Sequence, residues 1–194
     1  MRPRARLALA LVAVGLMVAI MLVVRRPFPS DHTPEGAYLR IAKSVDEDHI
    51  ADVFAYLETD AQWASYSIRD ARAKAYARVM DSYPEPDRAQ LVAAYGPLAH
   101  APDGADVFAL FAKQKGWDSR LRRDLSGVAH IEQEGERATV VTARGTRYAF
   151  HRRDNGIWGL TMFTGQLISE SERAARDLAV VNSAADDYDR AAKR

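Results

Sequence analysis

The sequence predicts an α+β fold: N-terminal helices, then a four-stranded antiparallel meander, then a C-terminal helix, all carried on an N-terminal transmembrane helix. Three observations predict it. Residues 7–24 form one unbroken apolar run flanked by arginines. Up to about Lys115 the apolar residues recur at helical spacings of three, four and seven. From Val128 onward they alternate, and the alternating stretches are joined by short connections that each contain glycine.

The apolar run reads LALALVAVGLMVAIMLVV, with Arg2, Arg4 and Arg6 before it and Arg25 and Arg26 after it. Eighteen helical residues span about 27 Å, just enough for a hydrocarbon core of roughly 30 Å. A cleaved signal peptide is the alternative, but its apolar region is shorter, about 7–15 residues, and ends in small residues. Here the run ends in Leu22, Val23 and Val24 with no A-x-A pattern, so residues 1–26 read as an uncleaved anchor with basic flanks. Three arginines stand before the run and two after it, which favours an inside N-terminus and a domain outside the cytoplasmic membrane. Residues 27–33, punctuated by Pro27 and Pro29, read as a stiff linker.

Composition narrows the setting further. The chain carries a formal charge of +1, but residues 1–30 hold five arginines and no acids. The remainder has 22 basic against 26 acidic residues, a charge of −4, which argues against nucleic acid as a partner. Cysteine is absent, so disulfides, thiol catalysis, thiolate metal sites and a lipid-modified N-terminus are excluded.

Residues 34–166 read as the α+β domain and 167–194 as an amphipathic C-terminal helix. Thr33 caps a helix that starts at Pro34, a favoured first position. Ser44-Val45-Asp46-Glu47 reads as a capping box opening a second helix with Ile50, Val53, Phe54 and Leu57 on one face. Thr59-Asp60-Ala61-Gln62 opens a longer helix ending before Tyr83-Pro84. A short helix over 87–95 closes at Gly96-Pro97, and another over 105–115 closes at Gly116. Strands are predicted over 128–133, 137–143, 146–152 and 157–163, with Glu134-Gly135, Arg144-Gly145 and Asn155-Gly156 as two-residue turns.

Two-residue turns fix a register. One face then carries Ala129, Val140, Ala149 and Met162, followed by Ile131, Ala138, His151 and Leu160, and reads as core. The other carries Val128, Val141, Tyr148 and Phe163, then His130, Thr139, Phe150 and Thr161, then Glu132, Arg137, Arg152 and Gly159. In the last helix, Ser169-Glu170-Ser171-Glu172 reads as a capping box, and Ala174, Leu178, Val181, Ala185 and Tyr188 form a heptad seam about two repeats long. That seam packs on its own domain, over the mixed sheet face, or meets a partner helix or a second copy.

Helices followed by a meander whose final strand reads Asn155-Gly156-Ile157-Trp158-Gly159-Leu160 resemble the NTF2-like superfamily over residues 34–163. Many membrane-anchored bacterial proteins resemble that group. The resemblance is one of element order and implies a sheet wrapped into a cone around a helix, with a pocket inside. It does not imply one activity, since members include isomerases, dehydratases and non-catalytic binders.

The candidate chemistry follows from the mixed face. Tyr148, Phe150, Thr139 and Thr161 are the candidate ligand-pocket residues, and His130 with Tyr148 is the candidate pair for general-base and hydrogen-bond-donor roles. The competing reading is a half-buried packing layer. His151 reads as a satisfied core histidine, and His32, His49 and His100 are scattered without metal-ligand spacing. Asp186-Asp187-Tyr188-Asp189 lacks the pattern of a calcium loop and reads as a solvated helix side. Arg120, Arg122, Arg123 and Asp124 form a charged cluster that reads as solvated ion pairs, or as a contact for anionic headgroups. Glu132, Arg137 and Arg152 read as a cross-strand charge ladder, and Trp63, Trp117 and Trp158 as core anchors.

No Gly-rich phosphate loop, G-x-S-x-G or H-E-x-x-H pattern is present. No cofactor and no metal are therefore expected. The expectation is a membrane-anchored extracytoplasmic binding or protein-interaction module. Its partners are the membrane through residues 7–24 and an envelope protein, or a second copy, through the C-terminal seam. The alternatives are a small-molecule isomerase or lyase using the mixed face, and an oligomeric structural component of the envelope.

Overall fold

The computed structural model describes residues 28–193. Its helices are α1 (Pro34–Asp46), α2 (Thr59–Ser82), α3 (Asp87–Ala99), α4 (Gly104–Gln114), α5 (Trp117–Asp124) and α6 (Thr164–Ala192). A 3₁₀ helix, Ile50–Tyr56, joins α1 to α2. The sheet comprises β1 (Val128–Glu134), β2 (Arg137–Thr142), β3 (Arg147–Arg152) and β4 (Trp158–Leu160), an antiparallel meander in the order β1-β2-β3-β4. The α+β class, the strand order and the closing helix are those the sequence predicts. Among the described residues no helix is long and apolar enough to cross a membrane. The predicted anchor, residues 7–24, lies outside the described residues.

Local chemistry explains most element ends. The Thr33 hydroxyl accepts from Gly36 N and caps α1, with Pro34 as its first residue. Asp103 caps α4 by accepting from Ala105 N and Asp106 N. Gly116, at φ 67°, turns the chain from α4 directly into α5.

Three expectations are corrected, and one helix is added. Ser44 does not open a helix; it is buried in the last turn of α1, and the following apolar residues form the 3₁₀ helix. Gly96-Pro97 does not close α3, which runs on to Ala99. The added helix is α5, which carries the charged stretch from Arg120 to Asp124 and sends Trp117 and Leu121 into the core. Helix α6 begins at Thr164, so Ser169 to Glu172 lie inside it and do not cap it.

Helices α2 and α6 run side by side in the same direction. Glu58, just before α2, accepts from Thr164 Oγ1 at 2.8 Å. Midway, Arg72 Nη2 sits 2.7 Å from Asp177 Oδ2, and at the far end Arg78 holds Asp186 and Asp189 at 2.6 and 2.9 Å. The seam therefore packs on α2, not over the sheet. Ala174, Val181 and Ala185 are buried, and Leu178 and Tyr188 pack against the same cores.

The main core lies between the inner sheet face, α1, the 3₁₀ helix, α2 and α4. Trp117 stacks on Phe163 with ring centroids 4.6 Å apart, and Phe108 joins them. A second, smaller core of Ala75, Val79, Tyr83, Val181 and Ala185 closes the far ends of α2, α3 and α6. Trp117 and Trp158 are core anchors as expected, but Trp63 is 66 % exposed on α2.

Candidate functional site: an open sheet face with a Glu58–His151 pair

The turns decide which side chains share the site. Thr142 N donates to Thr146 O and Gly145 N to Thr142 O, which encloses Ala143, Arg144 and Gly145 in a three-residue loop. Gly145 supplies the left-handed residue at φ 79°. The β3–β4 loop repeats this: Arg153 N donates to Ile157 O around Asp154, Asn155 and Gly156, with Gly156 at φ 81°. Three-residue loops ending in a left-handed glycine are the next commonest hairpins after the two-residue type. Each moves the register by one residue from the predicted one. The two slips cancel at β4, so β3 turns over as a whole. The first hairpin turns at Gly135-Glu136, one residue later than predicted, and a bulge between Val128 and His130 leaves Ala129 exposed and packs Val128 against the core, the reverse of the prediction.

The consequences are visible in the pairing. Val140 faces Tyr148, and Ala138 lines up with Phe150 and Leu160. Tyr148 and Phe150 are therefore in the core, at 3 % and 2 % exposure; Phe150 still borders a cleft on the outer face, and Tyr148 does not. Thr139 and Thr161 face the other way, in a row with Glu132 and Ala149. His130 is exposed on that outer side, with Nε2 3.4 Å from Glu132 Oε1. The structure thus keeps Thr139 and Thr161 together and parts them from Tyr148 and Phe150. It also puts His130 and Tyr148 on opposite faces, so those two cannot work as a catalytic pair. His151, predicted to be core, is exposed on the outer face.

On that face lies a cleft of about 710 Å³, lined among others by Glu58, Arg137, Thr139, Ala149, His151 and Thr161. Its floor is built row by row. Glu134, Arg137, His151 and Gly159 succeed one another across the four strands, and Glu132, Thr139 and Ala149 form the neighbouring row. Ala149, small and exposed, leaves the centre of the floor low.

Glu58 completes the site from a different element. Leu57 makes a parallel bridge to Leu160, and Glu58 N donates to Leu160 O at 3.1 Å, so the chain entering α2 lies along β4. Leu57 is buried, and the neighbouring Glu58 lines the cleft. There its Oε1 lies 3.3 Å from His151 Nδ1, while Oε2 accepts from Thr164 Oγ1 at 2.8 Å. An imidazole whose Nδ1 is held by a carboxylate presents Nε2 as an acceptor or base.

The other charges are largely spent. Arg147 grips Glu132 through both terminal nitrogens, which holds the Glu132 carboxyl below its usual range. Arg152 pairs with Glu136, 3.4 Å away, so the expected ladder of Glu132, Arg137 and Arg152 does not form. Arg137 has no ion-pair partner among the described residues and is the unengaged cation of the cleft. In the Arg120–Asp124 cluster, Arg120 and Arg123 pair with Asp124, and Arg122 reaches out to Asp48 at 2.9 Å. Among the described residues no group of three or more histidines and carboxylates stands where it could hold a metal ion.

Sequence reasoning missed Glu58 and misplaced His151. The signal was present in Gly145 and Gly156, each of which fits the third position of a three-residue loop. Comparison with family models, with curated proteins and with solved structures gives no match for this chain.

Proposed function

We propose that this chain is a single-pass, membrane-anchored binding module whose domain, outside the cytoplasmic membrane, takes a small polar ligand or a polar segment of an envelope partner in the outer-face cleft. The observation that carries the reading is the cleft itself, an open sheet face with a low floor at Ala149 and converging polar groups from Glu58, Arg137, Thr139, His151 and Thr161. The apolar run at residues 7–24 supports the membrane setting. Helices preceding an antiparallel meander support an NTF2-like assignment. The face turned toward the helices is filled by Tyr38, Tyr148, Phe150 and Leu160, so the binding face is the outer one. The C-terminal seam is spent on α2 and leaves partner binding to other surfaces.

The test is native mass spectrometry of the full chain released from membranes. The expected result is a bound mass that disappears in Ala149→Trp, a substitution that fills the cleft without touching the core. Retention of that mass in Ala149→Trp rules the cleft out. A reporter that works only outside the cytoplasm, fused after Arg194, tests the orientation, and its silence overturns it.

The Glu58–His151 pair favours one second reading, a proton-transferring isomerase or lyase with His151 as the base and Glu58 as its orienting group. On that reading His151→Gln abolishes turnover of the bound molecule and leaves its binding intact. Unchanged turnover sinks it.

A further inference from the structure

Residues 28–33, expected to be a linker, are bound to the domain as a strap. Trp158 donates twice to it, from its main-chain N to Asp31 O and from Nε1 to His32 O, each at 3.2 Å. Arg40 reaches back from α1, donates to Pro29 O, and lies 3.8 Å from Asp31 Oδ2. Two glycines make room for it. A Cβ on Gly36 would collide with Ser30 O and stand 2.8 Å from Pro29 O, and a Cβ on Gly156 would stand 2.6 Å from His32 Nδ1. Phe28, the first of these residues, is 46 % exposed and lies under the Arg40 guanidinium at 5.0 Å.

Only Pro27 separates Phe28 from Arg26 in the sequence. Two residues of extended chain span at most about 7 Å. The headgroup layer on each side of a bilayer is itself roughly 5–8 Å thick. A free seven-residue spacer would let the domain roam by roughly 20 Å, whereas a docked strap does not. We infer that the face around Phe28, Arg40 and the β3–β4 loop rests on lipid headgroups, with the strap fixing the domain flush against the bilayer. An aromatic ring beneath a guanidinium suits that layer: aromatic residues concentrate there, and an arginine lies on apolar surface while meeting phosphate. This inference rests on the anchor proposed above.

Because the chain has no cysteine, one introduced cysteine carries a nitroxide uniquely. Asp154→Cys labels the β3–β4 loop and Asp81→Cys the far end of α2; both sites are exposed. The full chain is reconstituted into vesicles of phosphatidylethanolamine and phosphatidylglycerol, and collision with a water-soluble nickel chelate is measured. The expected result is several-fold weaker collision at Asp154 than at Asp81. Gly36→Ala, which ejects the strap, brings Asp154 to the Asp81 value with the helical circular dichroism retained. Trp158→Phe, which removes one strap hydrogen bond without a clash, gives an intermediate value. Equal collision at the two sites in chains that float with the vesicles overturns the strap inference and leaves the anchor standing. Chains that do not float overturn the anchor and this inference with it.

Discussion

Glu58 and His151 meet because Gly159 lies between them. Gly159 is the cross-strand partner of His151, and a Cβ on it would stand 2.7 Å from Glu58 Cα and 2.8 Å from Leu57 O. Backbone atoms cannot yield as a flexible side-chain end can. Gly159→Ala therefore pushes the Leu57–Glu58 segment off β4 at a cost of about 1–3 kcal/mol, typical of overpacking. The imidazole NMR signals of His151 are expected to shift in Glu58→Gln on the native background, and to show no such shift on the Gly159→Ala background, where the urea midpoint is also expected to fall.

The C-terminal seam is buried on the chain's own cores, so its substitutions are expected to lower stability. Val181 is buried against Ala75, Val79 and Tyr83, while its neighbour Val180 is 69 % exposed. Val181→Asp places a carboxylate among apolar side chains and costs at least about 3 kcal/mol. Val180→Asp stays within about 0.5 kcal/mol of the parent. Leu178→Asp likewise lowers the urea midpoint, because Leu178 packs on the chain's own cores. A change of sedimenting mass at unchanged midpoint for Leu178→Asp would contradict the packing described here.

The fold was legible where side-chain period and caps decide it, and the site was not, because a single residue of turn length decides that. The four strands and their order follow from alternation and glycine spacing. The face of β3 depends on whether Ala143-Arg144-Gly145 or only Arg144-Gly145 forms the loop, and both put a glycine at a left-handed position. Burial of Tyr148 and Phe150 selects the longer loop, since the shorter one would expose both rings and bury His151. Glu58 was invisible for another reason. Its place beside His151 is set by a parallel bridge between Leu57 and Leu160, a contact across about a hundred residues with no local pattern. Trp63, read as a core anchor from its residue type, points outward because it lies off the buried stripe of Ala61, Ala64, Ile68 and Ala71.

Arg72 makes an asymmetric prediction. It is buried between α2 and α6, with Nη2 on Asp177, its guanidinium 4.6 Å above the Tyr95 ring, and Nη1 without a partner among the described residues. Removing the anion strands a buried cation. Removing the cation leaves a carboxylate that is one-third exposed and can be hydrated. Asp177→Ala is thus expected to cost about 1–3 kcal/mol, and Arg72→Met, which fills the same space without charge, less than that. Urea midpoints of the two variants in the opposite order would contradict this.

Tyr148 couples the core to alkaline pH. Its hydroxyl is buried with no hydrogen-bond partner among the described residues, and its ring lies 5.5 Å from that of Tyr38. Burial first, then the neighbouring Tyr38 and Asp124, push its pKa up to about 12. In the unfolded chain the same phenol ionises near pH 10. Between those values the unfolded chain holds fewer protons than the folded one, so stability is complete below about pH 10 and is lost as pH rises toward 12. Once fully expressed, the gap is worth roughly 3 kcal/mol. Tyr38 and Tyr83, also raised by burial, act in the same direction. Tyr148→Phe removes the largest of these contributions. At neutral pH it is expected to be neutral or to stabilise by about 1 kcal/mol, because an unpaired buried hydroxyl is deleted from a site that keeps its ring. Its advantage over the parent then widens as pH climbs past 10. Urea midpoints of both chains across this range measure it. Parallel curves would mean that Tyr148 ionises as freely in the folded chain as in the unfolded one.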